Sequence, residues 1–245
     1  MENAQLIGLS RQIALRRQMD VVANNIANIN TSGFKSEMLL FEEYEMPIAR
    51  DQEWGITDQF LSYTQDWATI HDYAGGAITQ TGNTLDVALQ GDGFLTVETP
   101  DGERYTRNGE LKLDDTGLLV TTGGLPVLSE GGQIRFEPGE TDIVFDSSGN
   151  ILTSIGNKGR LKIVSFDSPQ ALMRVGDNLF SGELPNMDLQ TEVLQGALER
   201  SNVAGVTEMA TMIRVTRAYQ TLSQIMQRQD EMRRSAIQKL GSLSA

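Results

Sequence analysis

The chain begins with apolar residues at helical spacing. In the N-terminal segment, roughly 3–29, one set of apolar residues recurs at steps of four and three, the 3.5-residue period of a coiled coil. The members of this N-terminal seam are Leu15, Met19, Val22, Ile26 and Ile29. Leu6, Leu9 and Ile13 continue the pattern after a phase shift. Because Asn and Gly tolerate a left-handed backbone, the run Asn30-Thr31-Ser32-Gly33 predicts the end of the helix.

A second helix is predicted at the other end of the chain, roughly over 203–240. Asn202 is predicted to cap its start, and Gly241 is predicted to end it. At 1.5 Å per residue the helix spans roughly 55 Å, and periodic helices of this length are typical of coiled coils. Steps of three and four residues define a C-terminal seam, whose members are Met212, Val215, Tyr219, Leu222 and Met226.

Turn-forming residues fill the centre of the chain. All six prolines lie between Pro47 and Pro185, and most of the 24 glycines lie in the same region. Pairs such as Asp101-Gly102 and Asn108-Gly109 are strong hairpin signals. Short strand-like runs lie among these turns, at 93–97, 133–136, 143–145 and 161–166. The pattern predicts an antiparallel β domain.

The predicted fold class is α+β. Long N- and C-terminal helices pair as a coiled-coil-like unit, and a central antiparallel, mainly β domain lies between them in sequence. Residues 37–79 hold both tryptophans, Trp54 and Trp67, and the only histidine, His71, and are interpreted as extended chain with packed aromatic anchors. The predicted divisions are an N-terminal helical assembly segment (1–36), an extended connector (37–79), the central β domain (80–182), a return connector (183–201) and a C-terminal helical assembly segment (202–245).

Charge is unevenly distributed along the chain. The net charge is −13, of which residues 37–192 carry −18, whereas residues 1–36 and 193–245 carry +2 and +3. An acidic centre opposes binding to nucleic acid and to anionic lipid, and the ends are too weakly basic to indicate DNA binding. No stretch approaches about 18 consecutive apolar residues, so we expect no membrane insertion. The first residues lack the basic region of a cleavable secretory signal, so export would require another route.

Motifs for catalysis or metal binding are not found in the sequence. The chain has no cysteine and one histidine, which excludes disulfides and thiolate metal sites. The run 146–150 lacks the alternating acids and terminal glutamate of a calcium loop, and a β-turn is the better interpretation. His71 has no nucleophile motif beside it, and Glu42, Glu43 and Glu45 are interpreted as a solvated acidic stretch. The sequence therefore predicts no enzyme activity, no cofactor and no metal.

Three stretches resemble the flagellar rod and hook family. Residues 23–35 (ANNIANINTSGFK) are similar to the N-terminal signature shared by its rod, hook and hook-associated proteins. Residues 81–94 (TGNTLDVALQGDGF) and 105–109 (YTRNG) are similar to the start of the family's β domain. Residues 198–219, which begin LERSNV, are similar to the C-terminal signature. The matches occur in the family's order and span almost the whole chain.

This resemblance implies a structural role in the flagellar basal body. Members of the family assemble as a helical tube, with paired terminal helices inside and β domains outside. They are exported uncleaved through the flagellar export apparatus into the rod that crosses the periplasm. The implied partners are copies of the chain itself, other rod proteins and that apparatus. Residues 2–12 and 41–47 are most similar to proximal rod subunits, and a distal rod or hook subunit is the alternative.

The two seams are predicted to be the assembly surface. Both run at a 3.5-residue period and lie at chain ends, and we expect sister molecules to bury them. The alternative is that both helices pack on the β domain as ordinary amphipathic helices. Asn24, Asn25 and Asn28 are predicted to fix register through hydrogen bonds, since buried polar groups specify pairing; the alternative is that they lie on the helix surface.

Two other functional classes compete with a rod subunit. An extracellular β-class enzyme would need convergent polar groups in a cleft, and no motif supplies them. A surface stalk or adhesin could also combine coiled-coil segments with a β head, but it would normally carry a secretory signal. Loss of motility with an incomplete rod on gene deletion would separate the rod subunit from both.

Overall fold

A computed structural model describes residues 2–48 and 59–243. The contacts within this part of the chain define two compact units, each assembled from segments that are distant in sequence. Within the described ranges, the helical unit comprises residues 2–26, 37–70 and 204–243. The β unit comprises residues 27–36 and 71–203.

Two long helices confirm the predicted helical ends. Helix α1 spans Glu2–Ala27, and α2 spans Gly205–Leu243, which is 39 residues or about 58 Å. Asn202 does not cap α2, because its side chain donates instead to backbone carbonyls in the loop 72–74. Gly241 lies inside the last turn of α2, where one glycine costs the helix only about 1 kcal/mol.

The two helices pair in an antiparallel manner within the helical unit. The Gln5 side-chain amide near the start of α1 donates to the Asp230 carboxylate near the end of α2, at 2.8 Å. The Thr216 hydroxyl lies 3.7 Å from the Met19 sulfur, so later residues of α1 meet earlier residues of α2. The chain's two ends therefore lie together in one unit.

A two-stranded ribbon completes the helical unit. Strands β1 (Glu37–Ile48) and β2 (Gln59–His71) pair with each other and occupy most of the predicted connector 37–79. Trp67 lies in β2, and Trp54 lies outside the described residues. The connector is thus extended chain, as predicted, and much of it is paired as a ribbon.

Short strands build the β unit. In chain order they are β3 (Ile78–Gln80), β4 (Val87–Gln90), β5 (Phe94–Thr99), β6 (Gly102–Thr106), β7 (Leu111–Leu113), β8 (Leu119–Thr121), β9 (Leu128–Ser129), β10 (Gly132–Gln133), β11 (Val144–Phe145), β12 (Asn150–Thr153), β13 (Gly156–Arg160), β14 (Ile163–Ser165), β15 (Met173–Gly176), β16 (Leu179–Ser181), β17 (Asn186–Met187), β18 (Glu192–Gln195) and β19 (Ala197–Glu199). Every pairing among them is antiparallel, which confirms the predicted β class.

A six-stranded sheet organises this unit, in the order β15-β16-β6-β5-β14-β17. Successive side chains on a strand point to opposite faces, and here both faces are apolar, so the sheet separates two cores. The larger core includes Leu95, Val97, Ile163 and Leu179. The smaller core, on the other face, includes Phe94, Tyr105, Val164, Leu172 and Phe180. His71 joins the smaller core, with its ring centroid 5.7 Å from that of Phe180.

Three of the four predicted strand runs contain strands at their expected positions, namely β5, β11 and β14. The run 133–136 differs, because only Gly132–Gln133 forms a strand there. Ile134 and Phe136 are nevertheless buried in the larger core. The alternation of apolar residues in this run therefore indicates burial, although most of the run is irregular and not a strand.

The segment 183–201, predicted as a return connector, also contains strands. These are β17, β18 and β19, which pair with β14, β4 and β3. Val193 and Ala197 are buried and alternate with more exposed neighbours, the pattern of a half-buried strand. The proposed division into domains stays a prediction, with strands on both sides of the boundaries at 80 and 182.

Candidate functional site

The N-terminal seam is partly buried in a single copy. Leu15 and Val22 are buried in the helical unit, and Met19 and Ile26 are half-buried. Ile29 lies beyond the end of α1, in the turn that follows, and is half-buried. One copy therefore covers the first part of this seam more completely than its end.

The C-terminal seam shows the same partial burial. Val215 is buried in the helical unit. A side-chain carbon added at Gly8 of α1 would lie 3.3 Å from the sulfur of Met226, so the two helices approach closely at this glycine. The remaining seam residues are half-buried, namely Met212, Tyr219, Leu222 and Met226.

A second set of apolar residues lies exposed on each helix. We call Leu6, Leu9 and Ile13 the α1 stripe; they are 46–60% exposed. We call Val206, Met209 and Ile213 the α2 stripe; they are 54–86% exposed. The phase shift between Ile13 and Leu15 was the signal in the sequence that the α1 stripe faces another direction from the seam. The α2 stripe has the same three- and four-residue steps, and sequence reasoning missed it.

Asn24 and Asn25 connect the end of α1 to the start of β1. The Asn25 amide donates to the Glu37 carbonyl at 2.9 Å, and the Glu37 backbone N–H donates to Asn25 Oδ1 at 2.9 Å. Asn24 donates to the Glu37 carboxylate at 3.3 Å. Asn25 is buried, and its side-chain amide pairs with the Glu37 backbone as a neighbouring strand would. Both residues thus have contacts within one copy, and their part in intermolecular register stays a prediction.

Asn28 belongs to the turn after α1. Its Oδ1 accepts a hydrogen bond from the Thr31 hydroxyl at 3.1 Å. The turn ends at Gly33, which has φ of +66°. A side-chain carbon added at Gly33 would lie 2.3 Å from backbone atoms of Arg107. The predicted helix-ending run is therefore confirmed, and its glycine is required both by φ and by close packing.

A buried ion cluster holds the chain beyond this turn. Lys35 Nζ lies 2.6 Å from Glu199 Oε1, and Arg107 Nη1 lies 3.5 Å from Glu199 Oε2. All three side chains are almost fully buried. Burial lowers the pKa of Lys35 and the pKa of Arg107, while attraction to Glu199 opposes that shift in both. Glu199 is thus the shared counter-ion of two desolvated cations.

Backbone groups complete the ion cluster. Lys35 donates to the Ala74 carbonyl at 2.8 Å, and the Gly76 N–H donates to Glu199 Oε1 at 2.8 Å. Arg107 donates to the Gly91 carbonyl at 2.6 Å. These bonds satisfy most of the polar atoms that burial would otherwise leave without partners, and Arg107 Nε is the atom of the cluster that stays without one.

The three stretches that resemble the rod and hook family meet at this cluster. Lys35 ends the first stretch, Arg107 lies in the second, and Glu199 lies in the third. The Gly33 N–H also donates to the Glu199 carbonyl at 2.7 Å. Sequence reasoning missed the cluster, because spacing along one chain gives no signal for a pair 164 residues apart.

The described residues contain no cluster of side chains that could hold a metal ion. Within 2–48 and 59–243, no three His, Asp or Glu side chains are placed to hold a metal ion. The run 146–150 is a turn, as predicted, because Asp146 Oδ1 accepts from the backbone N–H groups of Ser148 and Asn150. In the same part of the chain, neither α1 nor α2 is apolar enough over a sufficient length to span a bilayer.

Three family models match successive parts of the chain. Residues 6–35 match the flagella basal body rod protein model. Residues 88–153 match the D1 domain of the flagellar hook protein FlgE/F/G. Residues 194–239 match the C-terminal model of the flagellar basal body rod FlgEFG protein. The matched regions include most of α1, the ion cluster residues Lys35, Arg107 and Glu199, and most of α2.

Full-length relatives support the same assignment. The chain is 36% identical to the flagellar basal-body rod protein FlgF of Caulobacter vibrioides, with 100% of both chains covered. It is 31% identical to FlgF of Mesorhizobium japonicum, again over 100% of both chains. Flagellar basal-body rod protein FlgG of Bacillus subtilis is 33% identical, over 92% of this chain and 94% of the relative. The chain therefore belongs to the flagellar basal-body rod protein family, as a structural rod subunit of the proximal type.

Proposed function

We propose that the chain polymerises helically, with copies of itself and with other rod proteins, through its terminal helices. The resulting rod transmits torque and surrounds the export channel. The observation that carries this proposal is the exposure of the α1 stripe and the α2 stripe in one copy. The α1–α2 pair already buries part of both seams, and the exposed stripes are apolar surface that remains available to neighbouring molecules.

The energetics favour burial of these stripes between molecules. Each fully buried aliphatic side chain contributes roughly 1.5–3 kcal/mol relative to exposure, and each stripe presents three such side chains. Exposed apolar residues in a row at helical spacing mark a surface for another helix. The half-buried seam residues of the two helices add partly exposed apolar surface, and Asn24 and Asn25 hold the end of α1 against β1.

The proposal also covers the export route of the chain and the absence of enzyme activity. We infer delivery through the flagellar export apparatus, which membership of the flagellar basal-body rod family supports. We also infer that the chain is not an enzyme. The family is structural, and the buried charged side chains of the ion cluster are bonded to one another and to the backbone, which fits a structural role.

Complementation of a strain that lacks the gene tests polymerisation through the helices. Ile13→Asp and Ile213→Asp place a charge in each stripe, and we expect each variant to abolish swimming and to leave an incomplete rod. Both positions are more than half exposed in one copy, so the midpoint of urea unfolding should stay unchanged. Val22→Asp is less suitable, because Val22 is buried and the charge would destabilise the helical unit itself.

Gln224→Asp is the matched control, because it adds the same charge at an exposed polar position on α2. We expect this variant to swim normally. Normal swimming of Ile13→Asp and Ile213→Asp, with complete rods in electron micrographs, would contradict the proposal that the stripes form the interface.

A further inference from the structure

The chain passes between the helical unit and the β unit at four positions. They are the peptide bonds 26–27, 36–37, 70–71 and 203–204. A force that the backbone transmits from one unit to the other must pass through these four connections. The residues beside them therefore belong to any path by which the backbone transmits torque.

Asn202 lies beside the last connection and binds the chain beside two of the others. Its Oδ1 accepts a hydrogen bond from the Ser36 backbone N–H at 2.7 Å, next to the connection 36–37. Its side-chain amide donates to the Asp72 carbonyl at 2.8 Å and to the Ala74 carbonyl at 3.2 Å, just after the connection 70–71. One side chain thus joins three of the four connections. We call Ser36, Asp72, Ala74 and Asn202 the junction residues; all four belong to the β unit.

The bonds at this junction match the chemistry of an asparagine. A carboxamide has an oxygen that accepts hydrogen bonds and a nitrogen that donates two. The oxygen of Asn202 faces a backbone N–H, and its nitrogen faces two carbonyls. An aspartate would place an acceptor against those carbonyls, and an apolar side chain would make none of the three bonds.

Backbone hydrogen bonds hold the same segments together. The Asp72 N–H donates to the Ser36 carbonyl at 2.9 Å, and the Asn202 N–H donates to the Phe34 carbonyl at 3.4 Å. The Ala74 carbonyl also accepts from Lys35 of the ion cluster at 2.8 Å. The junction residues are therefore continuous with the buried ion cluster, and connected polar networks of this kind rigidify a fold.

A second asparagine acts beside the remaining connection, within the helical unit. Asn25 Oδ1 accepts from the Glu37 backbone N–H at 2.9 Å, and the Asn25 amide donates to the Glu37 carbonyl. The backbone N–H groups of two consecutive residues, Ser36 and Glu37, are thus each bound by an asparagine side chain. These bonds restrain the backbone on both sides of the peptide bond that joins the two residues.

We propose that Asn202 is a positioning residue for torque transmission. It joins three connections, so that they share a force that would otherwise strain each of them separately. This proposal rests on the proposed function, in which the rod transmits torque, and it names the residue by which the β unit holds its connections together. It also gives a role to the stretch that begins LERSNV, whose asparagine does not cap α2.

Asn202→Ala removes all three side-chain bonds and tests the proposal in a strain that lacks the native gene. Amide hydrogen exchange on the purified chain measures the local effect, and we expect the Ser36 amide to exchange about tenfold faster or more. In cells we expect complete rods and normal swimming in dilute medium. In a viscous medium, where the motor works at high torque, we expect rods to break and cells to shed their filaments.

Ile151→Val is the matched control for a loss of stability in the same unit. Ile151 is fully buried in the larger core, so removal of one methylene lowers the midpoint of urea unfolding and leaves the junction residues unchanged. A merely stabilising role of Asn202 predicts that both variants tolerate the viscous medium alike, whereas we expect only Asn202→Ala to shed filaments. Asn186→Ala, which removes an exposed bond to Asp167, controls for the loss of an asparagine and should behave as the unmodified chain.

Asn202→Asp separates the bond to Ser36 from the bonds to the loop 72–74. The variant keeps an oxygen that accepts from the Ser36 N–H and places a second oxygen against the two carbonyls. We expect the Ser36 amide to stay protected and the rods to break in viscous medium, as in Asn202→Ala. Intact rods in Asn202→Asp under these conditions would contradict the joining of three connections.

Two results for Asn202→Ala would overturn the proposal. One is the same tolerance of viscous medium as Ile151→Val. The other is an incomplete rod, because Asn202 would then act in assembly. Failure of the proposed polymerisation shows separately, as complete rods in Ile13→Asp and Ile213→Asp, and it does not alter the comparison of Asn202→Ala with Ile151→Val.

Discussion

The ammonium group of Lys35 lies 2.6 Å from the carboxylate of Glu199, and both side chains are almost fully buried. This pair joins the segment after α1 to the strand that precedes α2. Arg107 brings a second buried cation to the same carboxylate. One acid therefore holds together three parts of the chain, each from a different stretch that resembles the family.

Removal of the Glu199 charge should destabilise the β unit strongly. Glu199→Gln leaves Lys35 and Arg107 buried without a counter-ion, and breaking a buried ion pair in this way typically costs about 3–5 kcal/mol. We expect a loss of that size in the free energy of urea unfolding. Glu98→Gln, at an exposed position of β5, is the control and should cost less than about 0.5 kcal/mol. Equal stability of the two variants would show that the ion cluster is dispensable.

Gly33 should not tolerate a side chain. Gly33→Ala imposes an unfavourable positive φ, and its Cβ would meet the Arg107 backbone, which cannot move aside as a flexible side chain could. Gly124→Ala is the matched control, because φ there is +83° and nothing lies within 4 Å of an added Cβ. Both variants incur about 1 kcal/mol of backbone strain, and Gly33→Ala should cost at least about 1 kcal/mol more in urea unfolding. Equal costs would argue against the close contact.

Asn25 should protect the first amide of the ribbon. Asn25→Ala removes both hydrogen bonds to the Glu37 backbone, and an unsatisfied buried polar group costs roughly 1–3 kcal/mol. We expect the Glu37 amide to exchange with solvent deuterium about tenfold faster or more. Asn24→Ala removes a bond to the Glu37 side chain and leaves the bonds to the Glu37 backbone in place, so that amide should be unchanged. The same exchange rate in both variants would refute the backbone role of Asn25.

Acid should weaken the β unit partly through Asp188. Burial acts to raise the pKa of this carboxyl, but hydrogen bonds from the Thr191 hydroxyl and from the Gln190 and Thr191 backbone outweigh burial, so the pKa lies below 3.8. The unfolded chain then binds the proton more tightly, so this contribution is complete above pH 3.8 and is lost as pH falls through the lowered value. Asp188→Asn should flatten, without abolishing, the acid decline of the unfolding free energy, since Asp114 and Asp146 have lowered pKa values as well. If the unfolding free energies of Asp188→Asn and of the unmodified chain fell in parallel with pH, this assignment would be contradicted.

The fold class could be predicted from the sequence because its signals are local. Seam spacing identified both helices, and glycine-rich turns identified the β centre. The strands β18 and β19 were missed because they depend on partners more than a hundred residues earlier, such as β3 and β4. Asn202 appeared to be a helix cap for the same reason, since its actual bonds to the loop 72–74 are long-range.

The candidate interface was only half accessible to sequence reasoning. A seam pattern shows which residues share a helix face, but it does not show whether the same chain or a neighbour covers that face. Val22 and Val215 are covered within one copy, whereas Ile13 and Ile213 are not. The phase shift after Ile13 separated these two classes in α1, and only the folded chain separated them in α2.

The central claim is that the α1 stripe and the α2 stripe become buried by neighbouring molecules in the rod. Single cysteines at Ile13→Cys and Ile213→Cys measure this through their rate of reaction with a maleimide, first in the soluble subunit and then in isolated basal bodies. Asp115→Cys, in an exposed turn of the β unit, reports general access of the reagent. We predict that both stripe cysteines react readily in the subunit and that their reaction is slower by about tenfold or more in the rod. Equal rates in the two states, with Asp115→Cys also unchanged, would contradict the claim.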